Sequence, residues 1–174
     1  MTVVNESYVE KLYFKADEHI SEGEYAEAKA MLLDVLAEDP LFVMAHSQLG
    51  WLYMRKLGDM VKARQHLEIA VKYGKGHQEP FTNYTFYLLE AFQYSEVVRF
   101  SRKAMYVPGI DRAYILALRG LAYESMKLHR NALRTFEKAK QYTLNEDYLG
   151  KLNSDKQRIY KKLNVFQRLS VLFV

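Results

Sequence analysis

The stretch Leu49-Gly50-Trp51-Leu52-Tyr53 sets a glycine among large apolar residues, a pattern typical of a helix that lies close against a neighbouring helix. Counting outward from Gly50, small or near-small residues recur at steps of 34, 35 and 35: Ala16, Gly50, Thr85 and Gly120. Two further registers share this period: Ala28, Ala63, Val97 and Ala132, and Val35, Ala70, Ala104 and Ala139. Three registers with one period of roughly 35 residues indicate a repeat architecture.

Helical spacing fills the sequence between these registers. Apolar residues lie three, four and seven positions apart within 44–54 and within 130–142, which favours amphipathic helices. Glycine-containing segments separate the helices at 22–24, 57–59 and 73–76. Pro40 and Pro108 mark helix ends, because proline cannot continue a helix. The sequence therefore predicts pairs of helices joined by short turns.

These motifs resemble the tetratricopeptide repeat (TPR), a unit of about 34 residues folded as two helices, A and B. The family has a Leu-Gly-x-x-Tyr segment in helix A, which Leu49–Tyr53 matches, and Arg119–Tyr123 keeps its Gly and Tyr. Helix B of the family carries Ala, then an aromatic residue or Leu, then Ala. Across both helices of the unit, the residues that match the family are Ala16, Ala28, Leu49, Gly50, Tyr53, Ala63, Ala70, Gly120, Tyr123, Ala132, Phe136 and Ala139.

The resemblance implies an all-α fold: a right-handed superhelical solenoid of about four helix-turn-helix TPR units followed by a C-terminal capping helix. Neighbouring units stack because one helix pair cannot bury its apolar face alone. We expect a single domain, 1–174, with repeats near 9–42, 43–77, 78–112 and 113–146. A capping helix at 147–163 and an apolar tail at 164–174 follow, and Asn153-Ser154-Asp155 is a candidate break in the capping helix.

Several classes of site are excluded by composition. The chain has no cysteine, which excludes disulfides, thiolate zinc sites and cysteine nucleophiles. The five histidines are scattered, without the spacing of a metal site, so we expect no metal, no cofactor and no enzymatic activity. The N-terminus lacks the features of a signal peptide, and no stretch approaches the ~18 apolar residues of a membrane span. A cytoplasmic location is therefore expected.

The resemblance also implies a concave groove lined by the A helices. By the family's register the predicted groove residues are Tyr13, Asp17, Ser47, Trp51, Met54, Phe86, Leu89, Tyr114 and Leu121. This set is mostly aromatic and apolar, so the predicted ligand is an apolar or aromatic peptide segment. The same residues also fit simple packing between helices. Chaperone-binding members of the family use Lys, Asn and Arg at these positions, so no carboxylate clamp is expected.

Two alternative functions depend on the C-terminal part. Residues 1–111 carry a net charge of −4 and residues 112–174 carry +8. The basic half is interleaved with tyrosines and suggests binding to RNA or to an acidic partner. Its candidate residues are Arg130, Arg134, Lys138, Lys151, Lys156, Arg158, Lys161, Lys162, Arg168, Tyr142, Tyr148 and Tyr160. The apolar tail, 165–174, either folds back on the capping helix, mediates self-association in a neighbour's groove, or touches a membrane.

Overall fold

The computed structural model describes residues 7–165, 167 and 168. Within these residues the chain forms nine α-helices and no strand. The helices are α1 Tyr8–Glu22, α2 Tyr25–Glu38, α3 Val43–Leu52, α4 Met60–Tyr73, α5 Gln78–Glu90, α6 Tyr94–Ala104, α7 Arg112–Ser125, α8 His129–Lys140 and α9 Glu146–Lys162. Helix α3 continues as a π-helical turn, Tyr53–Leu57. Each of the four predicted repeats thus holds one helix pair, and α9 occupies the predicted cap.

Side-chain caps begin several of these helices where the sequence supplies them. Ser7 and Glu10 form a capping box at α1, in which each side chain accepts from the other residue's backbone N–H. Asp59, Asp111 and Asn145 are single N-caps of α4, α7 and α9. Each side chain accepts from the backbone N–H three residues further along the chain.

The predicted break at Asn153-Ser154-Asp155 is wrong, because α9 runs through these residues without interruption. The Ser154 hydroxyl donates to the Gly150 carbonyl, one turn back along the helix. The Asp155 carboxylate accepts from Arg158, one turn ahead. Both polar side chains are therefore satisfied within the helix, so neither competes with its backbone.

All twelve residues of the three sequence registers are buried. A methyl group built on Gly50 would lie 2.4 Å from Leu67 Cγ, and one built on Gly120 would lie 2.8 Å from Phe136 Cε1. The small residues of helix A thus leave room for the large residues of helix B. The closest packing joins α1 with α2, α3 with α4, and α7 with α8.

Where the sequence predicts one array, the structure divides into two compact units, with the boundary between Tyr87 and Leu88 inside α5. The first unit contains α1 to α4 and the first part of α5, around a core that includes Leu32, Leu49 and Leu67. The second unit contains α6 to α9. Its core is a cluster of Leu116, Ala117, Ala132, Leu133, Phe136, Ala139, Leu152, Ile159 and Leu163.

None of the described helices combines the length and the apolarity that crossing a bilayer requires. Most of the predicted apolar tail lies outside the described residues, so its three alternative roles stay predictions. In the described part of the tail, Asn164 and Gln167 each accept from the other's backbone N–H, and Val165 is exposed.

Candidate protein-binding site

A polar cluster joins the three A helices of the first unit. We call it the acidic face and define it by six residues, two from each helix: Tyr13, Asp17, Ser47, Gln48, Glu79 and Asn83. Corresponding positions of neighbouring repeats lie side by side, which brings together residues that are more than thirty positions apart in the sequence.

Direct hydrogen bonds hold the acidic face together. The Gln48 amide donates to the Asp17 carboxylate across 2.6 Å, which links α3 to α1. The Ser47 hydroxyl donates to the Glu79 carboxylate across 2.9 Å, which links α3 to α5. The Asn83 amide donates to Ser47 Oγ at 3.0 Å and to the same Glu79 oxygen at 3.3 Å. The carboxylates are therefore fixed in place by neutral donors.

The electrostatics of this face are unbalanced. Neither Asp17 nor Glu79 forms an ion pair with any residue in the described part of the chain. Burial is the largest influence on the pKa of Glu79 and raises it, and the Asp17 charge adds to this, while the hydrogen bonds from Ser47 and Asn83 and the nearby His77 act in the opposite direction. Burial, with Glu79 and Asp17, also raises the pKa of the Tyr13 hydroxyl above its ordinary value. A positive charge placed here would relieve the repulsion between the two carboxylates.

Gln48 adds an unsatisfied acceptor to this arrangement. Its side chain is only 8% exposed, and its Oε1 atom has no hydrogen-bond partner. A buried acceptor without a partner costs about 1–3 kcal/mol. The acidic face therefore offers two carboxylates that are suited to a hydrogen-bond donor with positive charge, whereas the Gln48 oxygen is enclosed within the protein.

The residues predicted for the groove differ in exposure. Asp17 is exposed, whereas Tyr13, Trp51, Phe86, Leu89, Tyr114 and Leu121 are half-buried. Ser47 is fully buried and Met54 is 8% exposed, so both contribute packing or internal hydrogen bonds rather than surface. Leu121 packs against the core cluster of the second unit. None of these nine residues is an exposed apolar side chain.

The predicted groove positions did not include Gln48 and Asn83. Gln48 lies next to Ser47 in sequence, at a helical position that the family's register assigns to packing. The sequence does contain a chemical signal for Gln48, because it is a polar residue inside a helix whose other residues are mostly apolar. In the structure its neighbours Ser47 and Leu49 are buried. A buried polar side chain needs a partner, and that partner lies on another helix.

In the second unit, an acidic residue of the A helix α7 is neutralised internally. Glu124 of α7 accepts from Arg158 at 3.0 and 2.5 Å and from Lys162 at 2.8 Å, both on α9. Arg158 also pairs with Asp155, and Lys156 pairs with Glu137. Three of the cations predicted to form a basic binding patch therefore hold α9 against α7 and α8.

Three of the five histidines lie in two settings. His46 and His66 are 2.9 Å apart between their Nδ1 atoms, and His46 Nε2 donates to the Pro40 carbonyl at 3.1 Å. At the end of α1, ligand atoms of His19, Glu22 and Glu24 lie within 4.8 Å of one another, and His19 Nδ1 hydrogen-bonds Glu24. Helical spacing did not reveal this group, because the turn at Gly23 brings Glu24 back toward α1.

No protein-family model matches the sequence, and no curated protein matches it either. Solved structures do match. PilF of Pseudomonas aeruginosa has 20% identity and a TM-score of 0.72, covering 88% of this chain and 73% of that one. PilW, a widely conserved type IV pilus biogenesis factor, has 18% identity and a TM-score of 0.75, covering 96% and 80%.

A thermophilic TPR protein of Thermus thermophilus has 17% identity and a TM-score of 0.70, covering 87% of this chain and 82% of that one. These likenesses show the fold: the chain is an all-α tetratricopeptide repeat structure. The TPR resemblance and the all-α repeat fold predicted from the sequence are confirmed.

Proposed function

We propose that this tetratricopeptide repeat chain is a non-enzymatic scaffold that binds a segment of another protein on the acidic face of its first unit. The fold supports a protein-interaction role in general, since TPR helices present continuous surfaces to partners. The observation that carries the finer proposal is the pair of carboxylates, Asp17 and Glu79, which within the described residues accept hydrogen bonds from neutral side chains and form no ion pair.

The ligand follows from this chemistry. A lysine or arginine side chain can donate to these carboxylates and balance their charge, whereas a purely apolar segment would cover the charges without balancing them. The half-buried rings of Tyr13, Trp51 and Phe86 offer apolar contact to residues on either side. We therefore propose a segment with one basic residue flanked by apolar or aromatic residues, which adds a basic residue to the apolar or aromatic segment predicted from the sequence.

The test is selection of displayed random peptides on the purified chain. We expect the bound peptides to be enriched in Lys or Arg next to apolar residues. The double variant Asp17→Asn, Glu79→Gln keeps the hydrogen-bonding shape but removes both charges. It should weaken binding of a selected peptide by about tenfold or more, because a hydrogen bond to a charged group contributes about 1.5–3 kcal/mol.

A matched control is Glu27→Gln, Asp34→Asn, which removes the same charge from exposed positions of α2 in the same unit. The control should bind selected peptides like the wild type. Peptides without basic residues, or an equal loss of affinity in both double variants, would show that the acidic face is not the binding site.

A further inference from the structure

A second cluster of charge, opposite in sign, lies in the second unit. Four cations line one cavity of about 400 Å³: Arg102 from α6, Arg112 and Arg119 from α7, and Lys138 from α8. Met105, Tyr106 and Tyr142 complete its lining, and no carboxylate residue is among the described residues that line it. We call it the cationic pocket.

None of these four cations is neutralised within the described part of the chain. The ion pairs of the second unit involve Arg99, Lys140, Lys156, Arg158 and Lys162, and none of the four pocket cations. Arg119 is half-buried, and its Nε donates to Ser101 Oγ at 2.7 Å, which fixes the plane of the guanidinium. Burial and the nearby Arg102 lower the pKa of Arg119. Four cations without a carboxylate partner at one cavity give it a positive potential that attracts an anion.

Aromatic side chains line this pocket beside the cations. The Arg112 guanidinium lies 5.8 Å from the centroid of the Tyr142 ring, which positions the cation at the cavity wall. The Tyr106 side chain is 87% exposed, an unusual state for a large aromatic residue. A larger cavity of about 690 Å³ shares Tyr106, Arg112 and Tyr142 with the cationic pocket, so a ligand anchored by its anionic group has room for an organic body.

We propose that the cationic pocket binds a phosphate monoester. A phosphate carries about −1.5 to −2 charge and three strong acceptor oxygens, which matches several cations better than a singly charged carboxylate does. Arginine guanidiniums suit phosphate because their donors form a rigid fork. The site is local rather than a strip for a nucleic-acid backbone, because Lys156, Arg158 and Lys162 are engaged with carboxylates. This inference is independent of the peptide site on the first unit.

The experiment is calorimetric titration of the full chain with two phosphate monoesters, adenosine monophosphate and a phosphoserine peptide, and with the unphosphorylated peptide. We expect a monoester to bind at millimolar or lower concentrations and the unphosphorylated peptide not to bind. Tighter binding of the nucleotide would identify a small-molecule ligand, and tighter binding of the phosphopeptide would identify a modified protein partner. Either result supports the pocket.

The variant Arg102→Gln, Arg112→Gln, Lys138→Gln removes three exposed cations and leaves the half-buried Arg119 in place. It should weaken monoester binding by at least about tenfold, given the strength of hydrogen bonds to charged groups. The control Arg130→Gln, Arg134→Gln changes two exposed cations of α8 outside the pocket and should bind like the wild type.

Three outcomes would overturn the proposal. The first is that neither monoester binds. The second is an equal loss of affinity in the triple variant and the control. The third is tighter binding of an RNA oligonucleotide without terminal phosphate, which would indicate a diffuse basic surface. Circular dichroism of each variant establishes that a loss of binding does not reflect unfolding.

Discussion

Gly50 and Gly150 are both helical glycines, but they differ in their surroundings. A Cβ at Gly50 would meet Leu67 Cγ at 2.4 Å, and the Ala63 carbonyl lies at 3.3 Å, whereas a Cβ at Gly150 meets nothing within 4 Å. Alanine gains up to about 1 kcal/mol in helix propensity at either position. At Gly50 the overpacking costs about 1–3 kcal/mol. The glycine of the Leu-Gly-x-x-Tyr motif is therefore required by helix packing.

We predict that Gly50→Ala lowers the free energy of unfolding by about 1 kcal/mol, because overpacking outweighs the propensity gain. Gly150→Ala is the matched control and should raise it by up to about 1 kcal/mol. Urea denaturation of both variants measures the difference. A gain of similar size at both positions would contradict the close approach of α3 and α4.

The His46–His66 pair predicts a loss of stability in acid. Burial lowers the pKa of His46. Burial, together with His46 and Lys62, lowers the pKa of His66 to about 4. In the unfolded chain a histidine takes up its proton near pH ~6.5. Between these values the unfolded chain binds more protons, so the free energy of unfolding falls as the pH falls from about 6.5 toward 4.

Urea denaturation at several pH values between 7 and 4.5 measures this slope. His66→Phe keeps a ring to stack on Tyr53, whose centroid lies 5.6 Å from that of His66, and removes one titrating group. The variant is expected to be less stable at neutral pH, because His46 Nδ1 loses its partner, and to lose less stability on acidification. An unchanged pH slope in the variant would show that the pair is not responsible.

At the scale of elements, the turns between A and B helices share one backbone conformation. The residues with positive φ at these turns are Gly23, Gly58, Phe92 and Lys127, at φ values of 85°, 69°, 58° and 60°. They lie 35, 34 and 35 residues apart, the period of the repeat. Glycine adopts this conformation without steric cost, whereas other residues pay about 1–2 kcal/mol. The third and fourth repeats therefore carry strain that the first two avoid.

Lys127→Gly should raise the free energy of unfolding by roughly 0.5–1 kcal/mol, since relief of strain exceeds the added flexibility of the unfolded chain. Lys127→Ala is the control, because it removes the same side chain and keeps the strain. Thermal denaturation of both variants shows whether the backbone conformation or the loss of the side chain causes the change in stability. Equal melting temperatures for the glycine and alanine variants would contradict the strained turn.

The helices were predictable because apolar periodicity is a local property, and it is repeated four times along the chain. The capping helix was predicted with a break because Asn153, Ser154 and Asp155 favour turns in isolation. The hydrogen bond from Ser154 to Gly150 and the pairing of Asp155 with Arg158 outweigh that preference. The π-helical turn at Tyr53–Leu57 had no sequence signal, because a single wide turn leaves the apolar spacing almost unchanged.

At the scale of the whole molecule, charge follows the division into units. Residues 1–87 carry 9 Lys and Arg against 13 Asp and Glu, and residues 88–174 carry 16 against 8. The acidic face lies in the unit with net charge −4 and the cationic pocket in the unit with +8. Each site therefore lies in a unit whose overall charge attracts the same kind of ligand.

The fold was predictable from the sequence to a greater degree than either site. Three registers of small residues specify which helices pack, and packing decides the repeat. The acidic face depends on bonds between Gln48 and Asp17 and between Ser47 and Glu79, which are 31 and 32 residues apart. The cationic pocket likewise takes residues from three helices. The repeat period constrains the residues that pack the helices and not these side chains, so the periodicity carries no information about them.

Trp51 is the single tryptophan of the chain, and it lies in α3 of the first unit, with the Lys56 ammonium 5.6 Å from its ring. Its fluorescence emission therefore reports on the first unit alone. Far-ultraviolet dichroism, in contrast, reports on helices throughout both units. When the two signals are followed during unfolding, coincident curves mean that the units melt together, and separate curves give the stability of the first unit without any added dye.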